Sequence, residues 1–147
     1  MSDKSSIPTF GEPEDGVSYL NRPCAYGFLF NKHDELAVIE TSFSCSLPGG
    51  GIEGDETEEL ALKMELNEEM GVRLQSAELV CRANQYLYSR YYQKHFLKVG
   101  SFYRVESATP ILVKMQADHE LLWMDPRQAK LDLSSEFQRW ALTQLTR

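Results

Sequence analysis

The chain has 147 residues, 42% of them hydrophobic and 25% charged, with a net charge of -7, a length and balance that suit one globular domain with its own core. The acidic balance and the lack of a basic stripe exclude duplex nucleic acid as a partner, because a phosphate backbone is held by clustered Lys and Arg. No stretch approaches the ~18 apolar residues of a membrane span and no apolar run follows the first residues, so the expectation is a cytoplasmic protein with no membrane attachment.

In chain order, residues 1–21 read as an irregular polar arm containing Pro8, Gly11, Pro13 and Gly16, ahead of a single domain over residues 22–147. Residues 24–30 and 36–41 read as two apolar strands folded into a hairpin around Asn31-Lys32-His33-Asp34. Residues 43–47 make a shorter strand leading to Leu47-Pro48 and then Gly49, Gly50 and Gly51. That run predicts a turn free of side-chain bulk, where backbone amides and carbonyls can approach a metal or a phosphate. A helix is expected over residues 57–70, capped by Thr57 or Asp55 and stopped by Gly71, with Leu60, Ala61, Met64 and Leu66 as its apolar side. Residues 78–92 and 96–105 carry the β-branched and aromatic content of long antiparallel strands joined by a polar turn at Gln93-Lys94-His95. Residues 121–124 make another strand, and Asp125-Pro126 caps a short helical turn. Ser134-Ser135 opens a last helix through Thr146, in which Phe137, Trp140, Ala141 and Leu145 form a core-facing stripe. Strands before and after a central helix, with a second helix at the end, indicate an α/β sandwich around a mixed sheet.

Cys24, Cys45 and Cys81 are odd in number and set among apolar residues, which reads as core thiols in a reducing compartment. His33, His95 and His119 are scattered and offer no zinc ligand set; each reads as a surface or loop residue.

The charge is not evenly spread. Between Glu53 and Glu69 stand eight acids and one lysine, a net of -7 that equals the net of the whole chain. At about 100° per residue, Glu65, Glu68 and Glu69 share one sector of the central helix. Like charges at those spacings oppose helix formation by a few tenths of a kcal/mol per pair, and anions near the helix C-terminus oppose the macrodipole. Charge alone leaves two readings open, a solvated acidic face or a site for a hard divalent cation such as Mg²⁺ or Mn²⁺.

The order of the residues separates those readings. Gly50, five residues, Glu56, seven residues, Met64, Glu65, Leu66, one residue, Glu68, Glu69, one residue, Gly71 and Val72 span 23 residues and resemble the Nudix box. That box is the loop-helix-loop signature of hydrolases acting on nucleoside diphosphates linked to another group. The resemblance implies a Nudix-type α/β/α sandwich with a mixed, largely antiparallel sheet. It also implies a Mg²⁺-dependent pyrophosphohydrolase, with Mn²⁺ able to substitute, whose substrate is a nucleoside triphosphate or a nucleotide sugar. On the same resemblance, the Gly49 carbonyl and the carboxylates of Glu56, Glu65, Glu68 and Glu69 would hold the metal. Glu65 or Glu68 within the box, or Glu120 outside it, would take the proton from the attacking water. Where the family places an arginine that pairs with box glutamates, this chain has Met64, which carries no charge and donates no hydrogen bond. Arg82 and Arg90 are the candidates to stand in for it. The alternative reading, supported by Met64 alone, is a Nudix-fold nucleotide-binding module that does not hydrolyse its ligand.

Tyr86, Tyr88, Tyr91 and Tyr92 form a second cluster, of which Tyr86 and Tyr88, with Arg82, are the expected substrate contacts; ordinary packing on a sheet is the competing explanation. Phe28 and Trp123 read as buried. No proline lies between Gly71 and Thr109, which disfavours the family's ADP-ribose-hydrolase marker. A homodimer through the arm or an exposed strand is compatible with the sequence, with no interface residue singled out.

Overall fold

The computed structural model describes residues 6–108 and 119–145. Their strands form two sheets. The larger has the order β1-β6-β7-β2-β5, from β1 (Thr9–Phe10), β6 (Leu74–Ser89), β7 (Lys94–Ser107), β2 (Leu20–Phe28) and β5 (Gly49–Gly51). The smaller has the order β4-β3-β8, from β4 (Cys45–Ser46), β3 (Leu36–Glu40) and β8 (Glu120–Met124). The helices are α1 (Glu58–Met70), α2 (Pro126–Asp132) and α3 (Glu136–Thr143). The large sheet is mixed: β1 runs parallel to β6 and β2 parallel to β7, while β6 with β7 and β2 with β5 are antiparallel. Both pairings in the small sheet are antiparallel.

The alternation of β2 assigns its side chains to two layers. Cys24, Tyr26 and Phe28 join Phe102, Ala83 and the residues Phe137, Ala141 and Leu142 of α3 in one core cluster. Ala25, and Leu29 just beyond the strand, join Tyr103, Val105 and the α1 residues Leu62, Leu66 and Met70 in the other. One helix layer thus covers each face, which is the expected α/β/α arrangement. Gly100 permits the α3 contact, since a Cβ there would lie 2.8 Å from the Phe137 ring.

The ends of α1 follow the sequence. Thr57 Oγ1 accepts a hydrogen bond from the Leu60 N–H at 3.1 Å, and Gly71 takes φ 66° to close the C-terminus. The apolar side differs from expectation. Leu62, Leu66 and Met70, spaced by four, are buried, whereas Leu60 and Met64 are 46% and 45% exposed. Apolar residues occupy two faces of this helix, and the sheet selected the stripe with the longer run.

The strand pair after the arm also needs correction. Asn31 Oδ1 does accept from the His33 and Glu35 N–H groups and turns the chain, but β2 is already flanked by β7 and β5. β3 therefore meets the preceding segment only at the Phe30–Leu36 bridge and builds the second sheet. The glycines, expected as a turn, form an edge strand: Cys24, Ala25 and Tyr26 pair with Gly51, Gly50 and Gly49. The reversal between β6 and β7 spans residues 90–93, with Gln93 at φ 54°, so His95 lies within β7. Thr9–Phe10 of the N-terminal arm adds the outermost strand, and the last helix ends at Thr143 with Gln144 as its C-cap, short of the expected Thr146.

If the buried stripe of α1 is Leu62, Leu66 and Met70, Leu66→Ala should destabilise the fold by about 2–5 kcal/mol and Leu60→Ala by no more than about 0.5 kcal/mol. Urea unfolding of the two variants checks this, and equal losses would contradict the assignment.

Candidate active site

The site grows from the bare strand β5. Gly49 has φ 137°, a conformation suited to glycine, and a Cβ there would lie 2.2 Å from the Ala25 carbonyl oxygen. On the helix side, a Cβ at Gly50 would meet the Glu65 carboxylate at 3.2 Å; at Gly51 it would lie 2.2 Å from the Arg22 guanidinium. The strand therefore lets carboxylates of α1 and an arginine of β2 approach one backbone ribbon. The approach to β5 is fixed by α3. Gln138, itself buried, accepts from the Leu47 N–H at 2.8 Å and donates to Ser46 Oγ at 3.1 Å, and Ser134 Oγ accepts from the Cys45 N–H at 2.8 Å.

A cleft of about 780 Å³ opens along this ribbon, and its lining includes Glu65, Glu69, Arg22, Lys98, Tyr88 and Phe43. Glu69 Oε1 accepts a hydrogen bond from the Gly49 N–H at 3.0 Å. Burial nevertheless outweighs that bond and, with Glu65 and Glu68 nearby, pushes the Glu69 carboxyl up to about 8. Burial, together with Glu68 and Glu56, raises Glu65 to about 7, against the opposing effect of Arg22. Two carboxylates that resist ionisation side by side form a donor set that a divalent cation would complete, and the Gly49 carbonyl belongs to the same ribbon. The other two box acids stand apart. Glu68 is exposed, and Glu56 Oε1 accepts from the Glu53 N–H at 2.9 Å, closing the loop ahead of α1. Among the described residues, no three Asp, Glu, His or Cys side chains are already gathered as a metal shell.

The remaining candidates divide. Tyr88 lines the cleft; Tyr86 packs edge-on against Tyr19 at 5.0 Å and is not part of the lining. Arg82 pairs with Glu58 at 3.2 Å, and Glu58 also accepts from Ser101 and Tyr103. Burial works against the charge on Glu58, but those hydrogen bonds and Arg82 outweigh it and hold the carboxyl below its ordinary range. Arg82 thus fastens the start of α1 to the sheet rather than reaching the cleft. Arg90 lies over the Phe43 ring at 5.1 Å, at the cleft mouth. Glu120 opens β8 opposite Glu40, outside the cleft lining, whereas His119, taken as a surface residue, is part of it.

Of the candidates to stand in for the missing arginine, Arg82 is engaged with Glu58 and Arg90 lies over Phe43 within the cleft lining. Arg22 opposes the rise in Glu65 and pairs with Glu53 at 3.2 Å over Gly51. Sequence reasoning missed Arg22 and Lys98. The available signal was strand parity, since both occupy positions in register with inward-facing core residues.

The family model described as "NUDIX domain" matches residues 20–145. No curated protein matches the chain in sequence. Among solved structures, the chain resembles a MutT NUDIX hydrolase from Burkholderia pseudomallei, with TM-score 0.66 and 24% identity over 86% of this chain and 98% of that one. It also resembles the MutT protein from Methanosarcina mazei Go1, with TM-score 0.69 and 16% identity over 87% and 94%. A third is the E. coli dihydroneopterin triphosphate pyrophosphohydrolase, with TM-score 0.66 and 13% identity over 86% and 97%. At these identities the structural likeness speaks for the fold.

Glu65 and Glu69 have folded pKa values above those of an unfolded chain. The stability they contribute is complete below the unfolded carboxylate range and is lost as pH rises through about 7 and about 8. Held in chelator, the protein should melt at lower temperature near about pH 9 than near about pH 5, and Glu69→Gln should flatten much of that slope. A Tm profile for Glu69→Gln parallel to the native one would contradict the buried, proton-retaining carboxyl.

Proposed function

The chain belongs to the NUDIX family and is a hydrolase of phosphoanhydrides, a premise from which we propose its substrate and the roles of its residues. The substrate is a nucleoside diphosphate joined to a further group, either a nucleoside triphosphate or a nucleotide sugar. The observation that carries this reading is the pair Glu65 and Glu69, set in one cleft with the side-chain-free strand Gly49–Gly51.

Family members generally use divalent cations, and Mg²⁺, with Mn²⁺ as a substitute, suits oxygen donors of this kind. Glu65, Glu69 and the Gly49 carbonyl would hold the ion, with Glu68 and Glu56 as further acids at its margin. When bound, it supplies charge neutralisation for the diphosphate and a more acidic water. The chain's own residues do the rest. The Gly49 N–H holds one oxygen of Glu69 in place, so that carboxylate meets its ligand without searching rotamers. Glu65 is the preferred proton acceptor over Glu68 and Glu120, because it alone of the three lines the cleft. Glu58, tied by Arg82, Ser101 and Tyr103, keeps the first turn of α1 against the sheet and so fixes where the later glutamates project.

The base or sugar end of the substrate has an aromatic rim to meet. Tyr88, Phe43 and Tyr91 border the cleft, with Tyr91 edge-on to Phe43 at 6.4 Å, and flat faces of this kind stack nucleobases. The thiols Cys24, Cys45 and Cys81 are free, which supports a reducing, cytoplasmic setting. No helix among the described residues is long and apolar enough to cross a membrane.

Assayed with Mg²⁺ or Mn²⁺ against nucleoside triphosphates, nucleotide sugars and dinucleoside polyphosphates, the native chain should release phosphate or nucleoside monophosphate from at least one class. Glu69→Gln should lower kcat by about a hundredfold or more. Nucleotide binding without turnover of any member would instead establish a binding module.

A further inference from the structure

The inward-facing alternation of β2, Phe28, Tyr26, Cys24, continues one step to Arg22, and that of β7, Phe102, Gly100, continues to Lys98. Arg22 and Lys98 are register partners on these neighbouring parallel strands. Adjacent strands lie about 4.8 Å apart, so two cations at partnered positions on one face repel each other. Neither is a freely solvated surface group. The Arg22 side chain is 26% exposed, and Lys98 is half-buried. Glu53, at 3.2 Å, offsets Arg22 but is itself 71% exposed. Among the described residues Lys98 forms no ion pair, with Glu65, Glu69 or any other acid. A half-buried lysine with no acidic partner beside an arginine carries a charge that an anion would offset.

Both cations line the same cleft as Glu65 and Glu69. The Arg22 guanidinium is also held in a fixed orientation, since it packs over Gly51 where no Cβ intervenes. We propose that Arg22 and Lys98 together form an anion subsite, built into the sheet, that takes a phosphate group of the diphosphate substrate. The inference rests on the hydrolase reading and adds what the carboxylates cannot provide, a direct contact to phosphate oxygens that needs no metal ion. Arg22 offers a planar fork for two oxygens, and Lys98 a point charge on a flexible stem. The unpaired lysine is then the counterpart of a charge that arrives with the substrate.

The test uses inorganic pyrophosphate as the probe, with the full chain in EDTA, by calorimetric titration. The native chain should bind it saturably, Lys98→Gln and Arg22→Gln about tenfold more weakly each, and Lys98→Arg close to native. A second readout separates this from a structural role: without pyrophosphate, Lys98→Gln should melt no lower than native, because a like-charge neighbour has been removed. In turnover, Lys98→Gln should raise KM about tenfold more than it changes kcat. Glu69→Gln should still bind pyrophosphate in EDTA while losing hydrolysis, so failure of the hydrolase reading shows in that variant alone. Absence of saturable pyrophosphate binding by the native chain overturns the proposal. Native-like binding by both Lys98→Gln and Arg22→Gln, or a lower Tm for Lys98→Gln with unchanged binding, would do the same.

Discussion

The site depends on one strand having no side chains. Gly49, Gly50 and Gly51 lie between β2 and α1, and each of their missing Cβ atoms is accounted for: Gly49 by the Ala25 carbonyl, Gly50 by the Glu65 carboxylate, Gly51 by the Arg22 guanidinium. Any side chain there would push the acidic helix and the basic strand apart. Without one, opposite charges approach the same ribbon of backbone, and the Gly49 N–H is free to bind Glu69. An edge strand pairs on one side only, so its other side faces the cleft with amides and carbonyls available to a ligand.

Such a strand has little of its own to hold it. Glycine loses the most freedom on ordering and contributes no apolar area, so the supports come from elsewhere. Three residue pairs in register fix β5 to β2, while Gln138 and Ser134 of the α3 region clamp the segment just before it. Glu58 anchors the start of α1 and Gly71 ends it. The acids of the site thus sit on a helix fixed at both ends, and the glycines follow a segment held by polar contacts from the opposite layer, that of Gln138 being buried. Both sheet faces must be covered before the cleft has a shape.

How much of this could be read in the residues follows from how local each signal is. The caps of α1 and α2 are encoded within a few positions and stand where expected; the long β6–β7 pair forms with its turn shifted, and α3 buries Phe137 and Ala141 as expected but Leu142 in place of Leu145. The acidic cluster and the box spacing were equally legible, because fixed offsets on a helix translate directly into a shared face. What was not legible depended on partners distant in sequence. The Gly-rich run resembles a turn until β2 is known to have an open edge. Leu60 and Met64 resemble a core stripe until the sheet selects Leu62, Leu66 and Met70. Glu68 shares a sector with Glu65 and Glu69, yet only the latter two are drawn into the cleft.

The charges show the same dependence on tertiary context. Met64 carries no charge where the family places a cation, and Lys63 beside it on the helix is exposed. The fold instead brings Arg22 across β5, where it pairs with Glu53 and opposes the rise in Glu65. This places the positive charge on β2, next to the sheet's edge, rather than on the helix that carries the acids. An arginine on α1 would move with the glutamates it neutralises; Arg22 stays with β2 whatever α1 does. Electrostatic balance in this cleft is therefore a property of how two layers are registered. Its acids and cations remain distinct because the backbone of three glycines stands between them.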